Sequence, residues 1–334
     1  MEIAQKRSAG SCDVMETTAL RPIFLAGPSA AGKSAIALDL ALRLGGEIIS
    51  VDSMQVYRGL DIGTAKPSAE ERERVPHHLI DVVDLDQSFD AAQFVRLAAE
   101  AVKDIHSRGR TPIFCGGTGF YFKAYLEGLG EAPPSDPKIR AQLATAPLEE
   151  LLEELARRDP ATFESIDRRN PRRVIRALEV IRLTARPFSE QRARWGEAPR
   201  NPEWRLVGVT RPAGELVDRI HRRVEEMFCK GLVAETEFLL QRGLERNPTA
   251  LQALGYRQVV EHLRGQRGLA ETIELVKIRT RQFAKRQLTW FRRQMRLEWI
   301  TLGGQDVQDL SSWFSCSETD TAGHSRSEGR NRFD

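Results

Sequence analysis

The sequence predicts an α/β protein, a parallel sheet with helices on both faces, with a small all-helical insertion. Two observations lead there. Short apolar runs bounded by Gly or Pro alternate with Ala- and Leu-rich stretches of helical length. A proline-rich segment then opens a long polar, arginine-rich helical stretch before a β-type run returns.

Taken in order, Ile23-Phe24-Leu25-Ala26 is an apolar run ended by Gly27 and Pro28, as expected of a buried strand. Residues 33–44 (KSAIALDLALRL) hold no breaker and stop at Gly45-Gly46, as helices commonly do. Glu47–Asp52 reads as a second strand, 91–108 as a helix, and Arg110–Cys115 as a third strand capped by Gly116-Gly117. Residues 131–137 (EAPPSDP) carry three prolines within 133–137 and mark a linker. From 138 to 198 the pattern is helical and polar, and Trp204–Thr210 is again β-type. Amphipathic helices are expected over 213–242 and 269–296. The economical division is an α/β core of 21–132 and 202–303 with a helical insertion, 133–201. Residues 1–20 are expected to be a disordered leader and 304–334, rich in Ser, Asp and Gly, a disordered tail.

The 334 residues suit about two domains. At 41% apolar and 29% charged residues the composition is globular. No apolar run approaches the ~18 residues of a spanning helix. The first twenty residues lack a signal-peptide core, so a cytoplasmic protein is expected. Cys12, Cys115, Cys229 and Cys316 are too scattered for structural zinc or a disulfide framework. The net charge of +3 argues weakly against a nucleic-acid partner, but it is an average. Residues 157–200 hold twelve Arg against six acidic residues, and 264–296 hold ten Lys/Arg against two. Residues 68–90 offset them with seven acidic against two basic residues. Two positive stretches fit a polyanion. They also fit solvated helix faces with i, i+4 pairing, an account that is weakest for 168–176, where only Asp167 offsets five arginines.

Gly27-Pro28-Ser29-Ala30-Ala31-Gly32-Lys33-Ser34 matches G-x-x-x-x-G-K-[ST] between a strand and a helix, which makes the fold P-loop NTPase-like. The two glycines let the backbone curl so that successive N–H groups face phosphate oxygens, and the following helix adds its positive end. Lys33 supplies a point charge, and Ser34 a hydroxyl for Mg²⁺. A phosphorylated ligand follows, bound either as a nucleoside triphosphate or as a departing diphosphate.

Asp52 ends the second strand, at the sheet edge where α/β proteins collect ligands. There it could accept a proton from a nucleophile or simply shape a turn. Gly63-Thr64-Ala65-Lys66-Pro67 places a basic residue near the site, and Gly116-Gly117-Thr118-Gly119 offers close backbone approach and a hydroxyl. His77-His78 are expected to be structural, because adjacent positions do not chelate from one helix face. Trp290, Phe291 and Trp299 are expected in the core.

The loop GPSAAGKS, together with DSMQVYRGLDIGTAKP (52–67), PHHLID (76–81), GGTGFYFKA (116–124), NPRRVIRALEV (170–180) and GYRQ (255–258), resembles the tRNA dimethylallyltransferase family from about residue 21 to 300. Ser29 stands where many members have Thr. Eukaryotic members carry a zinc-binding segment after the core, so the resemblance is to the bacterial type. It implies that Gly27–Ser34 hold the diphosphate of dimethylallyl diphosphate with Mg²⁺. Asp52 would be the general base on the exocyclic N6 of the adenosine 3′ to the anticodon, with Ser53, Met54 and Gln55 beside it on the tRNA. Thr118 would position the diphosphate, and Lys33 and Arg219 would stabilise its charge. The resemblance also implies tRNA contacts at Arg140, Asn170, Arg172, Arg173, Arg176, Gln252, Gly255, Tyr256 and Arg257. Tyr256 is open between a stacking surface and core packing. No partner subunit is implied, and a monomer suffices.

The competing readings are a P-loop nucleoside or small-molecule kinase, with the insertion as its lid, and a non-enzymatic RNA-binding NTPase switch. A kinase lid needs less than the insertion offers, and a switch leaves Asp52 and Thr118 without a task.

Overall fold

A computed structural model describes residues 21–193, 195–196 and 204–303. The expected leader and tail lie outside these residues. The order is β1 (Ile23–Ala26), α1 (Lys33–Leu44), β2 (Glu47–Val51), α2 (Ala69–Arg74), β3 (His77–His78), α3 (Ala91–Ser107), β4 (Pro112–Gly116) and α4 (Gly119–Glu127). A helical segment follows: α5 (Pro137–Thr145), α6 (Leu148–Arg158), α7 (Pro160–Ser165), α8 (Pro171–Thr184) and α9 (Phe188–Gln191). The chain returns through β5 (Arg205–Thr210), α10 (Ala213–Cys229) and α11 (Leu232–Gln241). Two 3₁₀ turns, α12 (Tyr256–Leu263), α13 (Leu269–Gln294) and β6 (Glu298–Thr301) complete it.

The six strands run in the order β3-β2-β4-β1-β5-β6, and every pairing is parallel. Ala26 of β1 and Val51 of β2 both pair with Gly116 of β4, so three strands end level. That register places the segments after β1, β4 and β2 side by side on one rim.

Alternation along each strand divides the core in two. Phe24, Ile49, Val51 and Phe114 face α3, α4 and the end of α13, packing with Phe94, Phe122 and Phe291. Leu25, Ile48, Ile113 and Val207 face α1 through Ile36 and Leu40. Phe24 is fully buried and stacks on Phe114 at 4.6 Å. Each such side chain contributes about 2–3 kcal/mol of transfer free energy.

The segment from α5 to α9 has its own core of Leu143, Leu151, Leu155, Val174, Leu178 and Ile181. Three of its helices start alike: Asp136-Pro137, Asp159-Pro160 and Asn170-Pro171. The Asx side chain accepts first-turn N–H groups, and the proline fills a position whose N–H has no helical acceptor. Where this segment leaves and rejoins the core, Gly130 and Arg192 form an antiparallel bridge, and Glu131 N–H donates to the Gln191 carbonyl at 2.9 Å.

The helix expected over 213–242 is two helices. Gly231 breaks it with φ 99°, a left-handed conformation that glycine adopts without strain. The 77–78 pair forms β3, with His78 Nε2 at 2.6 Å from Glu47 Oε2, which fits a structural role. Phe291 is fully buried, and Trp290 and Trp299 pack partly buried against the same core. No described helix is long and apolar enough to cross a membrane.

Candidate active site

The segment after β1 curls because two glycines let it. Gly27 has φ 151°, and a Cβ there would meet the Val209 carbonyl oxygen at 2.2 Å; Gly32, at φ 102°, caps α1. Lys33 is 9% exposed, and its Nζ donates to the Pro28 carbonyl at 2.7 Å. Burial pulls its pKa down to about 8; Cys115 and Asp52 draw it up and Arg223 draws it down. Ser34 is exposed, and its hydroxyl has no hydrogen-bond partner among the described residues.

Two arginines not weighed together in the sequence hold the loop from behind. Arg211 Nε donates to the Ala31 carbonyl and Arg219 Nε to the Ala30 carbonyl, each at 3.0 Å. With those carbonyls turned outward, the first-turn amides of α1 are left for a ligand. Arg223, one helical turn beyond Arg219, makes no hydrogen bond to a described residue. It lines the same cavity, where burial opposes its charge and Asp52 supports it. The i, i+4 spacing of Arg219 and Arg223 was the available signal in the sequence.

On the next segments along the rim, Asp52 Oδ1 accepts the N–H groups of Met54 at 2.8 Å and Gln55 at 3.3 Å, while Oδ2 accepts none from a described residue. The turn reading and the reactive reading therefore hold for different oxygens of one carboxylate. Thr118 Oγ1 accepts the Ser53 N–H at 3.1 Å. Gln55 accepts from Ser50 Oγ at 2.8 Å and donates to the carbonyls of Thr64 and Ala65, fixing the 63–66 loop. Cys115 also lines the cavity, and burial pushes its thiol up to about 11.

Gln287 of α13 was not singled out in the sequence. Its Oε1 accepts the Ser29 N–H and its Nε2 donates to the Gly117 carbonyl, both at 2.9 Å. Together these groups line a cavity of about 1220 Å³ that also takes in Met54, Arg222, Gln252, Phe283 and Arg286.

Several expected site residues are placed otherwise. Tyr256 is fully buried. Its hydroxyl donates to Glu235 Oε1 at 2.6 Å and accepts the Gly63 N–H at 3.1 Å, so it buttresses the 61–64 loop and offers no stacking surface. Burial, and then the Glu235 charge, raise its pKa. Gly255, buried, caps α12 behind it. Lys66 is spent on the Tyr57 carbonyl, Asp61 and Asp81 at 2.5–2.7 Å. Arg257 pairs with Glu261 on the surface and does not line the cavity.

The arginines of α5–α9 divide into two sets. Arg140 and Arg176 both pair with the fully buried Glu179, and Arg176 also donates to the Pro133 carbonyl at 2.5 Å. Asn170 caps α8. Arg172 reaches Gln252 Oε1 at 3.1 Å, whereas the exposed Arg173 side chain has no described partner. On α13 six exposed basic residues (Arg279, Arg281, Lys285, Arg286, Arg292 and Arg293), and Arg296 just after it, make no salt bridge to a described residue, which disfavours i, i+4 pairing there.

A model of the IPP transferase family matches residues 55–294, more than half of the chain. This chain belongs to the IPP transferase family. Among relatives, tRNA dimethylallyltransferase 1 of Trichlorobacter lovleyi is 46% identical over 284 residues, covering 84% of this chain and 93% of that one. The tRNA dimethylallyltransferase of Geobacter metallireducens is 44% identical over 300 residues, covering 87% and 96%. The crystal structure of the full-length tRNA isopentenylpyrophosphate transferase of Bacillus halodurans superposes with TM-score 0.64 at 38% identity, covering 89% and 96%. A eukaryotic dimethylallyltransferase acting on tRNA gives 0.71 at 27%, covering 87% and 75%. As an IPP transferase the chain is a prenyl-transferring enzyme on a P-loop-like fold.

Proposed function

We propose that this chain transfers a dimethylallyl group from dimethylallyl diphosphate to the exocyclic N6 of the adenosine 3′ to the tRNA anticodon. One observation carries the reading: Asp52 and the phosphate loop open on one cavity from the ends of β2 and β1, with Thr118 in the segment after the intervening β4. A carboxylate across from an anion cradle suits attack by a neutral amine on a carbon whose leaving group sits in the cradle. The N6–C1 bond forms, the C1–oxygen bond breaks, diphosphate leaves, and the N6 proton passes to Asp52 Oδ2. Lys33 and Arg223 take up the developing negative charge, and Arg219 holds the loop through its Nε. Arg223 thus fits the cationic role that the sequence resemblance gave to Arg219.

Mg²⁺ fits the donor set. Ser34 Oγ is a hard ligand on the same cavity, and an ion that keeps most of its waters and binds substrate phosphates asks for no more from the chain. It would add positive charge at the departing diphosphate. No described cluster of three His, Cys, Asp or Glu side chains forms a metal cage.

A duplex hides N6, so the target base has to be turned out into the cavity. The exposed basic residues of α13 and Arg172–Arg173 of α8 supply surfaces for the RNA backbone. A single copy of the chain carries all of these groups, so the proposed enzyme acts as a monomer.

The test offers the chain unmodified tRNA with labelled dimethylallyl diphosphate or with γ-labelled ATP. Label from the prenyl donor is expected in RNA and none from ATP. Transfer from ATP, or none from the prenyl donor, overturns the reading.

A further inference from the structure

Gln287 is 8% exposed and joins two segments that lie far from it in sequence, 258 and 170 residues away. It accepts from one and donates to the other, which a neutral amide does and a carboxylate of the same shape does not. The fit is close: a Cβ on Gly117 would lie 2.2 Å from Nε2. Beyond Gly117, Thr118 Oγ1 accepts from Ser53, the neighbour of Asp52. Hydrogen bonds and chain therefore run without a gap from the phosphate loop, through Gln287, to the loop that bears the proposed base.

We propose that Gln287 is a positioning residue. It fixes the separation between the loop that holds the diphosphate and the loops that hold the adenosine, with both ends of its amide taken up by backbone groups of those loops. This rests on the prenyl-transfer reading above. The two reactants are gripped by different loops, and bond formation needs their reacting atoms within about 3–3.5 Å; a displacement of about 1 Å can cost a hundredfold. A joint between the loops acts on the reaction step and leaves each binding step nearly intact.

Gln287→Met keeps the length and removes both hydrogen bonds. Its kcat is expected to fall about ten- to hundredfold. The tRNA KM and the Kd for inorganic diphosphate stay within about threefold of wild type, a split that general destabilisation does not produce. Gln287→Glu adds a pH signature. The carboxylate cannot donate to the Gly117 carbonyl, but the protonated acid can, and burial raises its pKa. The ratio of its kcat to the wild-type value is expected to rise as pH falls from about 8 to about 6. A Met variant with kcat within about twofold of wild type, or a loss confined to KM, overturns the inference; so does a Glu ratio that is flat with pH. Should the Met variant melt early, the Glu ratio decides alone. Wild-type turnover in the same assay reports separately on the prenyl-transfer reading.

Discussion

The hydroxyl oxygen of Thr118 accepts the backbone N–H of Ser53 at 3.1 Å, which ties the segment after β4 to the residue beside Asp52. Thr118→Val keeps the shape and leaves that N–H without its acceptor. Single-turnover prenylation is expected to slow about ten- to hundredfold, with tRNA affinity within a few-fold, and Thr118→Ser is expected to keep most of the rate. A Val variant with an unchanged rate would remove Thr118 from the reaction.

Asp52→Asn separates the two jobs of that side chain. The amide oxygen still accepts from Met54 and Gln55, but it cannot take the N6 proton. Turnover should drop about 10²- to 10⁴-fold while tRNA binding, read by filter retention, changes little. A large loss of binding would make Asp52 a docking residue.

Lys33 titrates near pH 8 because burial disfavours its charge. Below that pH it is a cation and above it is neutral, so affinity for inorganic diphosphate should fall as pH rises through about 8. Calorimetry of wild type and Lys33→Met checks this. The variant should bind more weakly at neutral pH and should lack this fall. Parallel pH profiles would mean that Lys33 carries no charge to the ligand.

Tyr256→Phe removes one hydrogen bond to Glu235 and one from Gly63 N–H inside the core. The cost in stability should be about 1–3 kcal/mol, read by urea unfolding. The salt dependence of tRNA binding should stay as in wild type, whereas a base-stacking role would show as lost affinity in a fully folded variant.

Arg172→Ala with Arg173→Ala should weaken tRNA binding and flatten its slope against log[salt], at little cost in stability. Arg176→Ala should do the reverse. It leaves the buried Glu179 with one cation fewer, for a loss of about 1–3 kcal/mol in unfolding and a nearly unchanged slope. An unchanged slope in the double variant returns those two arginines to an ordinary solvated face.

Much of this site is local in the chain, and local chemistry is legible. Gly27 to Ser34 carries its own geometry in its glycines, and Asp52 and Thr118 follow strands whose apolar runs mark where the rim must be. What could not be read is what crosses the molecule. Gln287 stands in an amphipathic helix like any other polar residue, and only the register of α13 against two loops gives it a task. Tyr256 and Glu235 meet Gly63 by packing that no spacing encodes. The arginines around 170 show the limit of charge counting: Arg140 and Arg176 neutralise one buried carboxylate while Arg173 faces solvent, and the sum is blind to the difference. The break at Gly231 was visible as a glycine but was outweighed by amphipathic periodicity on either side.

Gly130 beside Arg192 has a consequence for how such a molecule can be altered. The chain leaves the sheet layer and comes back to it at a single doorway. The Trp195 indole, bonded to the Gly128 carbonyl at 2.9 Å, runs alongside as a doorpost. The helices between touch the rest of the chain again where Arg172 meets Gln252, so a shortened or exchanged insertion has to fit both that contact and the doorway while β1, β4 and β2 keep their level ends.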